Sequence, residues 1–196
     1  MDARQKIRQN IRKQRRALTL RERDEYAEQL AAHFTSTKLF RNARRIALYL
    51  ANDGELDPVF IQLAAESMGK TCYLPVLLAP FANRLMFARY NFGDALVSNC
   101  FGIGEPVVAA GDRVSSRELD LVLMPLVAFD DMGNRIGMGG GFYDRTFSFL
   151  STRTIWRKPA LVGLAYGFQE QKKIPHQSWD VPLHYVATEN QLISIA

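Results

Sequence analysis

Apolar residues in the opening part of the chain recur at helical spacing. Ile7 and Ile11 lie four apart, and Arg4, Arg8 and Arg12 form a second stripe at the same interval, which predicts a short basic helix over residues 3–17 with a narrow apolar face. Thr19 followed by Glu22 has the spacing of a capping box. Tyr26, Leu30 and Phe34 then recur every four residues and predict a second amphipathic helix from about Leu20 to Phe34. Together the two predict a helical hairpin laid on something larger.

The pattern then changes to short apolar runs: Ile46 to Leu50, Thr71 to Val76, Leu85 to Tyr90, Leu119 to Pro125 and Leu161 to Tyr166. Runs of this length predict buried strands. Between the first two lies Asp57-Pro58, a cap with proline at the first helical position, followed by Ile61, Ala64, Ala65, Met68 and a closing Gly69. That is a strand, helix, strand unit. A helical segment from Tyr143 to Leu150 ahead of the Leu161 run repeats the order. The class expected is therefore α/β with a mixed or mostly parallel sheet. No repeat, low-complexity tract or Pro/Gly/Ser-rich linker divides the chain, so residues 1–196 are read as a single domain.

Composition adds three constraints. Hydrophobic residues make up 47% and charged residues 23%, enough apolar material for a core and too much for a disordered chain. No apolar run approaches the roughly 20 residues of a membrane helix, and the basic opening segment lacks the apolar centre of a secretory signal, so the expected location is cytoplasmic. Cys72 and Cys100 are far apart without a C-x-x-C partner, which predicts neither disulfide nor zinc site. A formal net charge of +5 favours anionic partners without choosing among nucleic acid, acidic lipid and small phosphorylated or carboxylated molecules.

The strongest chemical signal runs from Arg135 to Arg145, directly after the strand ending in Met124-Pro125-Leu126 and the turn Asp131-Met132-Gly133. Gly137, Gly139, Gly140 and Gly141 remove Cβ atoms, so that backbone N–H groups approach an anion closely. A helix starting near Phe142 would add its free N–H groups. The segment is not a Walker A loop, because no Gly-Lys-Ser/Thr follows, and it lacks the downstream acid of a dinucleotide fingerprint. A bare glycine run is often only a turn. Here Arg135 and Arg145 flank it as phosphate donors, and Asp144 supplies a hard oxygen for magnesium.

Three further segments are weighed against plainer readings. Asn52 to Asp57 follows a strand, where open α/β sheets bind ligands; Asp53 reads as a turn former and Asp57 as a helix cap, which leaves Glu55 to accept N–H groups of a polar heterocycle. The Arg4, Arg8, Arg12 stripe reads by default as a solvated helix face. In Trp179-Asp180-Val181-Pro182, Trp179 reads as packing and Asp180 as a turn former or second metal carboxylate. His33, His176 and His184 show no ligand spacing and read as structural or exposed.

These segments together resemble the 5-formyltetrahydrofolate cyclo-ligase family, also called methenyltetrahydrofolate synthetase. The resemblance rests on the basic helix, Leu48 to Asp57, Tyr73 to Val76, Asp120 to Pro125, Ala128 to Asp130, the Arg135 to Arg145 block and Trp179 to Pro182. It implies a three-layer α/β/α sandwich of Rossmann-like character, acting as a monomer. The implied reaction is ATP-driven, magnesium-dependent closure of 5-formyltetrahydrofolate to 5,10-methenyltetrahydrofolate. ATP would lie against Arg4, Arg8, Arg135, Ile136, Gly137, Met138, Gly139, Gly140, Gly141, Phe142 and Tyr143, with Arg135 and Tyr143 catalytic. Folate would lie against Leu50, Glu55, Phe101 and the loop Met138, Gly139, Gly140, Gly141, Phe142. Magnesium would sit at Asp144 and Asp180. Some family members carry lysine where this chain has Gly140, so that phosphate contact is absent here or comes from a residue such as Arg145.

Phosphoryl transfer of this kind asks for positioning and charge neutralisation rather than a dedicated nucleophile, which suits a chain without a Ser-His-Asp or Cys-His set. Two other readings remain at this level. One is a nucleic-acid-binding domain using the basic helix. The other is an ATP-dependent enzyme of the same fold acting on another formyl substrate.

Overall fold

The computed structural model describes residues 2–77, 83–151 and 158–195. Helices α1 (Ala3–Ala17) and α2 (Leu20–Phe34) occupy the predicted spans, and the Thr19–Glu22 capping box is formed in both directions. They dock on different surfaces. Leu30 and Phe34 of α2 enter the core against the sheet, whereas Ile11 of α1 packs with Val127, Ala128, Ile136 and Ile174.

A short helix α3 (Lys38–Asn42) leads into strand β1 (Arg45–Ala47). The predicted run to Leu50 is cut short, although Leu48 N–H still donates to Tyr73 O at 2.8 Å before the chain turns away. Helix α4 (Val59–Ser67) follows. Asp57 caps it by accepting from Val59 N–H at 2.9 Å, and Gly69 closes it with φ +69°. Strands β2 (Thr71–Leu77) and β3 (Leu85–Arg89) come next, then a small hairpin of β4 (Leu96–Ser98) and β5 (Gly104–Pro106). After β6 (Arg113–Val114) and the central β7 (Leu121–Pro125), a second hairpin of β8 (Ala128–Phe129) and β9 (Arg135–Ile136) leads into helix α5 (Phe142–Phe147). Strands β10 (Ala160–Leu164), β11 (Tyr185–Ala187) and β12 (Leu192–Ser194) complete the order.

The main sheet has eight strands in the order β12-β11-β10-β7-β1-β2-β3-β6. From β11 to β2 neighbours run parallel, and antiparallel strands flank that block on both sides. Strand alternation separates two apolar layers. Ile46, Leu121, Leu123, Val162 and Leu164 face α2, α3 and α4, while Ala47, Val122, Met124 and Leu161 face α5 and its extension to Leu150. The expected α/β sandwich with a mostly parallel sheet is thus formed. Among the described residues no helix is long and apolar enough to cross a membrane.

This order fixes where a ligand can bind. From β1 the chain passes through α4 to β2 on one side, whereas β7 and β10 extend the parallel block on the other. The loops after β1 and β7 therefore diverge at the carboxyl ends of adjacent strands, the usual crevice of an open α/β sheet.

Candidate active site

A cleft of ≈ 1330 Å³ opens at that point. Its walls come from α1, the loop after β1, the segment from Arg135 to Arg145, the β4–β5 hairpin and the Gln177–Asp180 turn.

One wall is built by the glycine segment. Asp130 is buried and organises the turn before it, accepting from Met132 N–H at 3.1 Å and Asn134 N–H at 2.9 Å. Beyond β9 the chain exposes Met138, Gly139 and Gly140, with Gly139 at φ +106° and Gly141 at φ +63°. Both lie in the left-handed region that side chains disfavour, and a Cβ on Gly141 would meet Arg145 Nη1 at 2.7 Å. Arg145 lies back along the loop, donating to Gly140 O and Asn83 O at 2.7 Å each and standing over the Phe142 ring. Ile136 turns the other way, its side chain buried beside Ile11 and Val127.

The arginine stripe of α1 is not a solvated face, contrary to the default reading. Arg4 Nη1 pairs with Asp180 Oδ2 at 3.0 Å, Arg8 Nε donates to Gly137 O at 2.8 Å, and Arg12 Nε reaches Asp53 Oδ2 at 2.6 Å. These pairings arise because the narrow apolar stripe of α1 seats it over the β8–β9 hairpin and aims the adjoining stripe at the cleft. They also remove these three arginines from the free basic surface that the nucleic-acid reading needs. Burial, and then the like charge of Arg4, lowers the pKa of Arg8, so two guanidiniums crowd one wall of the cleft. An anion between them would relieve that repulsion.

Arg135 is buried and held from two sides. It donates to Val181 O, and its Nη2 meets Asp144 Oδ1 at 2.6 Å; Val181 N–H reaches the same oxygen at 3.2 Å. Asp144 and Asp180 are thereby brought to one neighbourhood from distant segments. Among the described residues no three His, Cys, Asp or Glu side chains cluster as a metal site. Trp179 departs from its predicted packing role. It is 68% exposed and lines the cleft, because the Asp180 turn, in which Gln177 N–H donates to Asp180 Oδ2 at 2.9 Å, carries it outside the core.

Leu50, Glu55 and Phe101 also stand on the cleft wall. Phe101, 61% exposed, stands edge-on to Phe142 with ring centroids 5.9 Å apart. Glu55 accepts from Asn52 N–H at 3.2 Å. Burial pushes its carboxyl up to about 7, against the opposing pull of Arg15 and the Asn52 N–H. Tyr143 stacks on Phe147, and burial followed by the nearby Glu55 raises its phenol well above the ordinary value. Its phenol, protonated at neutral pH as any tyrosine is, can donate a hydrogen bond.

Two residues escaped the sequence reading. Asp53 does form the turn expected of it, at φ +52°, but also accepts from Arg12, Arg15 and Arg16. Burial opposes its ionisation, yet these bonds hold its carboxyl at about 2. Arg15 is fully buried and links Asp53 with Leu126 O. The available signal was its spacing: Ile7, Ile11 and Arg15 share one helical stripe. The histidines behave as expected: His33 Nε2 meets Glu189 O, His184 Nδ1 accepts from Leu161 N–H, and His176 is exposed.

The sequence profile of the 5-formyltetrahydrofolate cyclo-ligase family matches residues 1–189. A 5-formyltetrahydrofolate cyclo-ligase from Haemophilus influenzae is 39% identical over 182 residues, covering 92% of this chain and 94% of that protein. One from Escherichia coli is 39% identical over 186 residues, covering 93% and 98%. The NMR structure of Aquifex aeolicus 5,10-methenyltetrahydrofolate synthetase superposes with a TM-score of 0.80 at 28% identity, covering 99% of this chain and 93% of that one.

Proposed function

The chain belongs to the 5-formyltetrahydrofolate cyclo-ligase family, and from that premise we propose how its cleft carries out the family's reaction, ATP-driven closure of 5-formyltetrahydrofolate to 5,10-methenyltetrahydrofolate. The observation that carries the reading is that the exposed glycine loop and Glu55 line one and the same cleft of ≈ 1330 Å³. That volume exceeds the roughly 300–1,000 Å³ of a single small-molecule site and suits two substrates meeting end to end.

ATP phosphates lie on the Gly137 to Gly141 backbone, with Arg4 and Arg8 on the α1 side and Arg145 beside Gly140. Arg135 acts from beneath, holding Asp144 and the Val181 carbonyl so that the loop keeps its shape. The folate ring system lies against Leu50, Phe101 and Phe142, with Glu55 accepting its N–H groups. The formyl oxygen attacks the γ-phosphorus and the bond to the β-phosphate oxygen breaks, releasing ADP. The anilino nitrogen then closes on the activated carbon, losing its proton as phosphate departs. Tyr143, kept protonated, donates a hydrogen bond to the oxygen that gains charge.

Magnesium fits this arrangement without a large ligand cluster, since it is commonly held by one or two carboxylates together with substrate phosphates. Asp144 and Asp180 would hold it, and it would neutralise charge on the β- and γ-phosphates.

The test is to mix purified protein, MgATP and 5-formyltetrahydrofolate and follow the near-ultraviolet absorbance of the methenyl product. Absorbance should rise with stoichiometric ADP release. ATP turnover with no absorbance change would point instead to a different formyl-bearing substrate.

A further inference from the structure

Arg15 is fully buried, yet its guanidinium serves more than its own neutralisation. Nη2 lies 3.0 Å from Asp53 Oδ2, while Nη1 lies 3.3 Å from Leu126 O and 3.7 Å from Glu55 Oε1. Asp53 is already paired with Arg12 and Arg16, so it does not require this third cation. Arg15 Nε finds no protein partner, so hydrogen bonding leaves the buried charge incompletely satisfied. Burying a guanidinium is costly, and a well-packed apolar side chain of similar volume would often serve stability as well or better. What an apolar side chain would not supply is a fixed positive charge behind Glu55.

We propose that Arg15 is a positioning residue for the folate-binding part of the cleft, standing behind Glu55 so as to offset the burial that opposes its charge and to turn its carboxylate toward the ligand from inside the fold. This rests on the reading that Glu55 contacts the folate. The surroundings of Glu55 make the charge matter. Arg12 and Arg15 approach from α1, Asp53 lies on its own loop, Tyr49 lies in the segment just after β1, and Tyr143 lies on α5. Burial, the negative Asp53 and two phenols offer Glu55 little help in ionising. Arg15 is the foremost charge acting in the other direction, ahead of Arg12. A Glu55 that took up a proton would present a donor where the ring N–H groups need an acceptor.

The test compares Arg15→Lys, which keeps the charge, with Arg15→Gln, which keeps much of the length without it. Titration of the Glu55 carboxyl is followed by carbon-13 NMR, assigned with Glu55→Gln. In Arg15→Gln the midpoint should move to higher pH by about one unit or more, the size expected on losing a nearby opposite charge. The acid limb of folate kcat/KM should move with it, while KM for ATP stays within about twofold, since Arg15 lies away from the phosphate loop. In Arg15→Lys both readouts should stay close to wild type even if the melting temperature drops. Should Arg15→Gln not fold, Arg15→Met supplies the neutral arm. Equal midpoints in the charged and neutral variants would overturn the proposal and leave Arg15 as a packing residue. A shifted midpoint with an unshifted folate profile would overturn the folate contact of Glu55 instead, and with it the positioning role.

Discussion

Arg8 Nε donates to the carbonyl of Gly137 at 2.8 Å, tying the opening helix to the first glycine of the loop. The bond makes Arg8 both a charge facing the cleft and a clamp on the loop. Arg8→Ala should raise KM for ATP about tenfold, the equivalent of roughly 1.4 kcal/mol, and leave KM for folate within about twofold. Arg8→Lys should recover part of the loss by restoring charge without the aimed Nε. Steady-state kinetics with each substrate varied in turn decide it, and parallel increases in both KM values would argue for general loosening of α1.

Asp144 combines a tie to Arg135 with the proposed magnesium contact, and the two roles separate in Asp144→Asn. The amide oxygen still accepts from Arg135 and Val181 N–H, so the fold should persist. Loss of the negative charge should raise the magnesium concentration for half-maximal rate by about tenfold or more. A magnesium titration at fixed ATP reads this directly. An unchanged midpoint would reduce Asp144 to a loop tie.

The Asp53 carboxylate has a signature in acid. Its folded value of about 2 lies below the ordinary 3.8, so its contribution to stability is present above about pH 4 and is lost as pH falls toward 2. Asp53→Asn should melt several degrees below wild type at pH 7, consistent with about 1–3 kcal/mol for disrupting a charged hydrogen-bond cluster. Thermal melts from pH 7 downward should show that gap closing only below about pH 4. A gap already closed at pH 5 would be inconsistent with this account.

Glu55 carries the opposite sign. Its folded value of about 7 lies above the ordinary 4.5, so the fold favours the protonated form, and the stability from that preference is lost as pH rises from 4.5 through 7. Glu55→Gln should therefore gain on wild type between pH 5 and pH 8, by roughly 2 kcal/mol. Its folate kcat/KM should fall about ten- to a hundred-fold at pH 8, and the deficit should narrow near pH 5.5, where wild-type Glu55 is itself protonated. Melting curves and kinetics at the two pH values test both statements.

The parts of this molecule that the sequence disclosed are those whose signal is local. The capping box at Thr19, the cap at Asp57 and the glycine block each lie within a few residues and fix their own geometry. Strands β4, β5, β11 and β12 span three residues each, too short for alternation to register. The role of Arg15 was illegible for a different reason: its partners Asp53 and Leu126 stand 38 and 111 positions away, and a charge in a basic run looks solvated until those partners are in place. Trp179 failed in the converse sense. Its size suggested a core position, but the tight turn that places Asp180 beside Arg4 leaves the ring outside.

The seat of α1 bears on how the chain assembles during synthesis. Ile11 is covered by Val127, Ala128, Ile136 and Ile174, all of which leave the ribosome long after it. The cover for the apolar stripe of α1 is therefore supplied from far along the chain, while β1, α4 and β2 follow one another directly in sequence. The seating of α1 on that patch is also what sets Arg4 against Asp180 and Arg8 against Gly137, so covering this small core and closing the α1 wall of the cleft are one structural event.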